Sequence, residues 1–385
     1  MRSRLKRQTR VLLTLFFIFT LGTTVVCAQV LPVEPPEGSI DFQELDQFIS
    51  SLDQDIQRLL PGLDFKSWQV TGPNWNWEKA GKDITNYFMR ELVFSLRVFA
   101  ELMLLAMVLA ILQNLRHAFE SDTVNQLAFG FCYLAVMGIV LTSFSVIFGI
   151  ARGALTEMSG FMLAIIPLLC SLMVASGGVT TASIVHPVLI SSVELVGGLI
   201  SNIVFPLILF AGILGLTNYL FEGFEVKKLA EMFRNVALGL LGLAMTIFIG
   251  VVTIRGFAGS IADTTAMRSA KYLSSTFLPV VGGEIADTME MAAGCSAVVK
   301  GGLGIFGLGL LVLITVFPLV KILAVAMIYQ VTGAVMQPLG NNKLADALGN
   351  VGGIFMNIFG AVAVVGLMFY IAIAILIGMA GMRVG

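Results

Sequence analysis

Long apolar runs separated by short polar stretches occupy most of the chain after residue 91. A helix needs about 20 apolar residues to cross roughly 30 Å of hydrocarbon. The pattern therefore predicts an all-α, polytopic helical membrane protein whose multispanning domain covers residues 91–385. The predicted apolar runs are 98–112, 127–150, 161–175, 184–216, 236–254, 303–335 and 351–380.

Two stretches do not read as simple spans. Residues 161–175 contain Pro167 and end at Gly177-Gly178, while residues 274–299 are only partly apolar and contain Pro279. Non-helical backbone at membrane depth is tolerated only where it is buried in protein or lines a cavity. We therefore expect two broken hairpins, each made of bent half-helices that enter and leave the same face.

The sequence also matches itself at a nearly constant spacing. A shift of 112 residues places Val204-Phe205-Pro206 on Val316-Phe317-Pro318, and a shift of 115 places Lys228-Leu229-Ala230-Glu231 on Lys343-Leu344-Ala345-Asp346. This spacing predicts about 2.5 direct repeats, each of two spans and a broken hairpin. The repeat units lie near 92–203, 204–315 and 316–385.

The N-terminus has the pattern of a secretory signal. Residues 1–28 combine a basic start, an apolar stretch over 11–21, and Val26-Cys27-Ala28 as a small-residue cleavage site. An uncleaved signal anchor is the alternative interpretation. Either would export the segment that follows.

Residues 29–90 differ in composition and are predicted to form a small extracytoplasmic head. Apolar residues recur at helical spacing from Ile40 to Leu60, and Pro61-Gly62 ends the pattern. Some 60 residues form a marginal core on their own. The apolar face is expected to dock on a partner, the membrane surface or the next segment. With the head exported, the polar loops near 116–122, 222–234 and 337–349 would face the cytoplasm.

Composition narrows the function. The chain is 57% hydrophobic and 12% charged, with net charge −1, which excludes an ordinary soluble domain. Lys and Arg nearly balance Asp and Glu, so nucleic acid is not an expected partner. The long apolar runs make membrane lipid an expected partner. The two histidines and four cysteines form no metal-ligand motif. The sequence contains neither a catalytic triad nor a phosphate-binding loop. We therefore predict no enzyme activity, metal or cofactor.

Ionisable residues within apolar runs are the candidate sites, because a charge in hydrocarbon is costly. Lys321 follows Pro318 in the run 303–335, and Glu194 lies in the run 184–216. They could form a buried lysine–carboxylate pair on a polar path, or they could be packing contacts within an assembly. Arg97 and Glu101 are one helical turn apart, as in an ordinary interfacial pair or a relay.

Three acids recur at intervals of three in the second predicted hairpin: Glu284, Asp287 and Glu290. On a helix they would share one face. That face could line a water-filled vestibule for cations, or it could be the solvated side of a loop.

Two segments give the chain a family resemblance. Phe317-Pro318-Leu319-Val320-Lys321-Ile322, continuing to Gln337-Pro338-Leu339-Gly340, resembles the stage III sporulation protein AE family. The resemblance runs from about residue 40 to the end and includes the exported head and residues 295–300. It implies no catalytic residues, and it marks Lys321, Pro318, Gln337 and Pro338 as family-like positions.

The resemblance also implies a location and partners. It implies an integral protein of the mother-cell membrane around the forespore, within a channel or secretion-like complex that supports late forespore gene expression and spore formation. The partners would be other stage III sporulation A-operon membrane proteins, the associated ATPase and, indirectly, stage II sporulation protein Q. The alternative from the residues alone is a stand-alone secondary transporter with a midplane site at the broken hairpins.

Overall fold

The described part of the chain is helical almost throughout. The computed structural model describes residues 48–49, 77–116, 122–220, 226–277, 282–339 and 342–381. Within these ranges only the turn at 176–178 and Val226 lie outside a helix, and there is no strand, which confirms the all-α prediction. The helices are α1 (Trp77–Arg116), α2 (Asp122–Ala175), α3 (Val179–Leu199), α4 (Phe205–Leu220), α5 (Lys227–Phe277), α6 (Gly282–Met336) and α7 (Asn342–Gly381). A π-helical segment, Ile200–Val204, joins α3 to α4, and a 3-10 turn, Gln337–Leu339, follows α6.

Five of the described segments are long and apolar enough to cross a membrane, as expected for a multi-pass membrane protein. They are Leu134–Ala175, Val179–Thr217, Lys227–Ser269, Gly302–Met336 and Leu344–Gly378. Their apolar stretches are longer than one span needs. At 54 residues, α2 is about 80 Å long and must extend well beyond a hydrocarbon core of roughly 30 Å.

The predicted half-helix at residues 161–175 is instead the end of α2. The stretch between runs 127–150 and 161–175 stays helical, and Ala151, Ala154 and Leu155 bury its inner side. Pro167 lies inside the helix without ending it. The second hairpin also differs from the prediction, because α6 runs without interruption from Gly282 through the apolar run 303–335.

The chain turns back at Gly177-Gly178, where the sequence placed a break. Gly177 has a φ of +83°, which costs glycine little because it has no Cβ. The Gly177 N–H donates to the Val174 carbonyl, and the Gly178 N–H donates to the Met173 carbonyl. These two bonds form a Schellman motif, so the end of α2 satisfies its last carbonyls before α3 begins.

The helices form an antiparallel bundle. Along α2 the contacts with α6 pass from Ser143 with Tyr329 to Met158 with Thr315, so the two helices run in opposite directions. The helices α6 and α7 are also antiparallel, because Gly304 lies against Ile377 and Gly333 lies against Ala345. The segment α3–α4 is antiparallel to α5, because Thr181 contacts Asp263 and Phe210 contacts Phe233. The start of α2 and the α4–α5 and α6–α7 junctions therefore lie at one end of the bundle.

One described part of the head contacts the bundle. Phe48 and Ile49 are helical and pack against the core. The Phe48 ring lies 5.7 Å from the Phe161 ring of α2, centroid to centroid. At this point two residues of the predicted head contact α2, and the docking position expected for its apolar face stays a prediction. Residues 77–90, which the sequence assigned to the head, form the first part of α1, so the predicted boundary at residue 90 falls inside a helix. The other residues of the head and the signal segment lie outside the described residues, and the repeat stays a prediction.

Candidate functional site

Lys321 lies in a cluster of cations and aromatic rings between α1 and α6. It is half-buried one turn after Pro318, and its ammonium nitrogen is 6.0 Å from the centroid of the Tyr87 ring. The guanidinium carbon of Arg90 is 5.0 Å from the same centroid. Phe317 meets Tyr87 edge to face, with centroids 4.7 Å apart. We call Tyr87, Arg90, Phe317 and Lys321 the cationic cluster.

The cationic cluster joins the first helix to the core. Tyr87 is only 7% exposed, so its ring is held between α1 and α6. A cation over an aromatic face is worth about 0.5–2 kcal/mol, more when the pair is desolvated. Both cations thus approach one ring. The arrangement can hold α1 in place.

Lys321 and Glu194 are not brought together in the bundle. Glu194 is on an exposed face of α3, and no ion pair between the two side chains is among the described contacts. Lys321 approaches an aromatic ring instead. The contact with Tyr87 is compatible with a packing role, and both interpretations of Lys321 stay predictions.

Arg97 and Glu101 form a pair along the surface of α1. The Arg97 Nε atom is 3.1 Å from Glu101 Oε1, and the Arg97 side chain is 87% exposed. This is the geometry of an ordinary pair one turn apart. Neither residue is drawn into the bundle.

The remaining predicted positions are spread over α6 and its C-terminal end. Pro318 is buried inside α6, while Gln337 and Pro338 are exposed in the 3-10 turn that follows it. The helix begins at Gly282, so the three acids lie in its first turns, but their side chains are outside the described residues. The role of Glu284, Asp287 and Glu290 remains a prediction.

Arg152 supplies a hydrogen bond that the π-helical segment lacks. In this segment the Phe205 N–H donates to the carbonyl five residues earlier, at Ile200. The next donor in that pattern would be residue 206, but it is proline and has no N–H. The Arg152 Nη2 atom donates to the orphaned Ser201 carbonyl at 3.2 Å. Sequence reasoning missed this contact, although Arg152 and Ser201 lie almost equally far from the Gly177 turn.

Asp263 of α5 closes the N-terminus of α3. Its carboxylate accepts hydrogen bonds from the Thr180 N–H at 2.8 Å, the Thr181 N–H at 2.9 Å and the Thr181 hydroxyl. Gly178 is the N-cap residue and has no side chain to do this. Gly259, one turn before Asp263, lies directly against the Thr181 backbone. A carboxylate from a distant helix thus replaces the local cap, a contact that the sequence pattern did not indicate.

A third polar contact links α2 to α6 in the core. The Tyr329 hydroxyl and the Ser143 Oγ atom are 2.6 Å apart, and both side chains are buried. The Tyr329 ring packs edge to face on Phe355 of α7, with centroids 5.2 Å apart. Each of these three polar contacts therefore links two helical segments of the bundle. The described residues contain no group of three or more His, Cys, Asp or Glu that could hold a metal ion.

Comparison with known proteins supplies the family. The family model described as Stage III sporulation protein AE matches residues 66–380. The chain is also 32% identical over 350 residues to Stage III sporulation protein AE of Bacillus subtilis (strain 168), covering 89% of this chain and 87% of the relative. No solved structure matches. Both matches cover most of the helical chain. The chain therefore belongs to the stage III sporulation protein AE family.

Proposed function

We propose that the protein is a structural and conduit subunit of a multi-protein, secretion-like channel complex in the mother-cell membrane around the forespore. In that complex it supports late forespore gene expression and spore formation. The observation that carries the proposal is the family match over residues 66–380 of a polytopic helical chain. The partners are the other stage III sporulation A-operon membrane proteins and their ATPase, with stage II sporulation protein Q as an indirect partner.

The cationic cluster has a defined task in this proposal. Tyr87 lies near the start of α1, within the last residues of the segment 29–90 that the sequence assigned to the head. Lys321 and Arg90 hold its ring against α6, near the middle of the apolar segment Gly302–Met336. The cluster therefore anchors the base of the head to the membrane core, so that a partner bound to the head is held in a fixed position.

The polar contacts within the bundle suit a rigid subunit. Arg152, Asp263 and Tyr329 each satisfy a polar group of another helix. The contacts of Asp263 and Tyr329 are buried, and in such a low-dielectric interior satisfied contacts stabilise one arrangement of helices over alternatives. A conduit built from several chains requires this kind of fixed scaffold.

The geometry at the first hairpin offers less support to the secondary-transporter alternative than the sequence did. Transporters use the positive N-termini of broken helices to bind anionic substrates. Here the N-terminus of α3 at the first hairpin is already occupied by the Asp263 carboxylate. Pro167 lies in a continuous helix rather than at a break. Specific solute uptake by the purified protein in liposomes would revive this alternative.

Replacing residues 40–60 of the head with a flexible Gly/Ser linker of equal length tests the proposal. The variant is expected to insert in the membrane but to lose co-purification with the other A-operon membrane proteins, because the head carries the partner contacts. Asp346→Asn is the control, since Asp346 is exposed on α7, far along the chain from the head, and is not among the candidate assembly residues. Normal co-purification of the linker variant would contradict the proposal.

A further inference from the structure

Several helices leave large apolar side chains exposed, and two of these exposed faces lie on α5 and α1. On α5, eight large apolar side chains are between 41% and 69% exposed. They are Leu229, Met232, Val236, Leu243, Ile247, Ile254, Phe257 and Ile261. On α1, Val93, Leu96 and Leu104 are also at least half exposed, and Ala100 between them is exposed. We call these the α5 face and the α1 face.

The counterpart of the α5 face in the next predicted repeat unit is buried. Moving 115 residues along the chain takes α5 onto α7. Each of the eight exposed positions then falls on a residue that is at most 2% exposed. These counterparts are Leu344, Ala347, Val351, Ile358, Val362, Phe369, Ala372 and Leu376.

The α1 face has the same relation to α4. Moving 112 residues along the chain takes Val93, Leu96, Ala100 and Leu104 onto Phe205, Ile208, Gly212 and Leu216. All four positions on α4 are buried. The faces that are buried on α4 and α7 are therefore exposed on their counterparts one repeat unit earlier, α1 and α5.

The covered faces of α4 and α7 meet along part of their length, and α2 and α5 cover other parts: Gly212 also lies against Phe144, and Phe369 packs on Phe248. Gly212 of α4 lies against Ile354 of α7, and Gly215 lies against Asn350. Translated by the repeat spacings, these contacts pair Ala100 with Gly239 and Met103 with Asn235. In a single chain α1 instead packs on α2 and α6, leaving the α1 and α5 faces exposed. They remain available to another molecule.

We infer that the α1 face of one copy of this chain packs on the α5 face of the next copy, repeating the α4–α7 contact between molecules. The inference takes the predicted repeat as its premise and does not depend on the proposed function. Two different faces meet, so the contact is heterologous and adds copies head to tail into a ring or an open chain.

Two features of the faces favour a protein neighbour over lipid. At the predicted crossing point Ala100 meets Gly239, and at Gly242 one turn away an added Cβ would meet nothing within 4 Å. Small residues of this kind let two helices approach closely in a membrane. The exposed Arg97–Glu101 pair borders the α1 face, and charged groups on an otherwise apolar helix are disfavoured by lipid.

Disulfide cross-linking between full-length chains in membranes tests the inference. In a background without Cys27, Cys132, Cys170 and Cys295, one tagged chain carries Ala100→Cys and a differently tagged chain carries Gly239→Cys. Oxidation is expected to give a dimer that carries both tags. Chains that carry both substitutions are expected to give a ladder of dimers, trimers and larger species.

Two controls fix the register and the fold. Pairing Ala100→Cys with Ile261→Cys uses the same α5 face 22 residues further along, about 33 Å away on a helix, and should give no cross-link. Gly215→Cys with Asn350→Cys in one chain should form an intrachain disulfide if the bundle is folded.

Four results would overturn the inference or its head-to-tail arrangement. Equal cross-linking at Ile261 would mean random collision. Cross-links between Gly239→Cys chains alone would mean a two-fold α5–α5 contact. Absence of any interchain cross-link, with the intrachain pair formed, would mean that lipid or another protein covers both faces. A double variant that stops at the dimer would overturn the head-to-tail arrangement.

Discussion

Replacement of Asp263 by alanine is expected to lower the free energy of unfolding by about 2–4 kcal/mol, because an unsatisfied buried donor costs about 1–3 kcal/mol. Asp263 is 3% exposed, and its carboxylate is the acceptor for two backbone N–H groups and one hydroxyl at the start of α3. Alanine would leave these donors without an acceptor beside an apolar core. The loss is measured by denaturant unfolding of the purified protein in detergent.

Two variants separate this cap from a general effect of losing an acid. Asp263→Asn keeps one carbonyl oxygen and is expected to lose about half as much stability, since the donors retain an acceptor without the charge. Asp346→Ala removes an exposed aspartate of α7 and should change stability by less than about 0.5 kcal/mol. If Asp263→Ala and Asp346→Ala unfold at the same denaturant concentration, the cap does not stabilise the bundle.

Two adjacent glycines of α7 are expected to respond to alanine in opposite directions. At Gly352 an added Cβ would lie 3.0 Å from the Ala326 carbonyl oxygen and 3.1 Å from the Gln330 backbone nitrogen. At Gly353 it would meet nothing within 4 Å. Alanine in a helix interior gains up to about 1 kcal/mol over glycine at either position. Overpacking a tight contact costs about 1–3 kcal/mol, and only Gly352 incurs that cost.

Gly353→Ala should therefore stabilise the protein slightly, and Gly352→Ala should destabilise it because α6 and α7 must separate. The difference is expected to be about 1–3 kcal/mol, measured by thermal unfolding in the same detergent. The matched control is built into the pair, because both variants make the same change one residue apart. Equal stability of the two variants would contradict the close packing of α6 on α7.

The sequence predicts the class of fold because the relevant signal is local. Apolar runs much longer than a soluble helix requires predict spans, and Gly177-Gly178 predicts the break that the structure shows. The division of α2 was wrong because the polar stretch from Arg152 to Glu157 resembles a loop in sequence. Its alanines and leucine bury one side, and that tertiary contact keeps it helical.

The contacts between helices could not be predicted, because they depend on which helices are neighbours. Lys321 stands out as a charge in an apolar run, yet its partner ring, Tyr87, lies on a helix more than 200 residues earlier. Asp263 was not selected, since it falls in the polar last third of α5. Only the antiparallel pairing of α3 with α5 brings it to Thr181.

The most direct test of the account is a late forespore gene reporter in a sporulating host deleted for this protein. The account predicts that the deletion silences the reporter after engulfment and that the wild-type protein restores it. Lys321→Met should restore it only in part, because the cationic cluster loses one of its cations, while Lys227→Met, at an exposed lysine of α5, should restore it fully. A reporter that is unaffected by the deletion would contradict the proposed role in the sporulation channel.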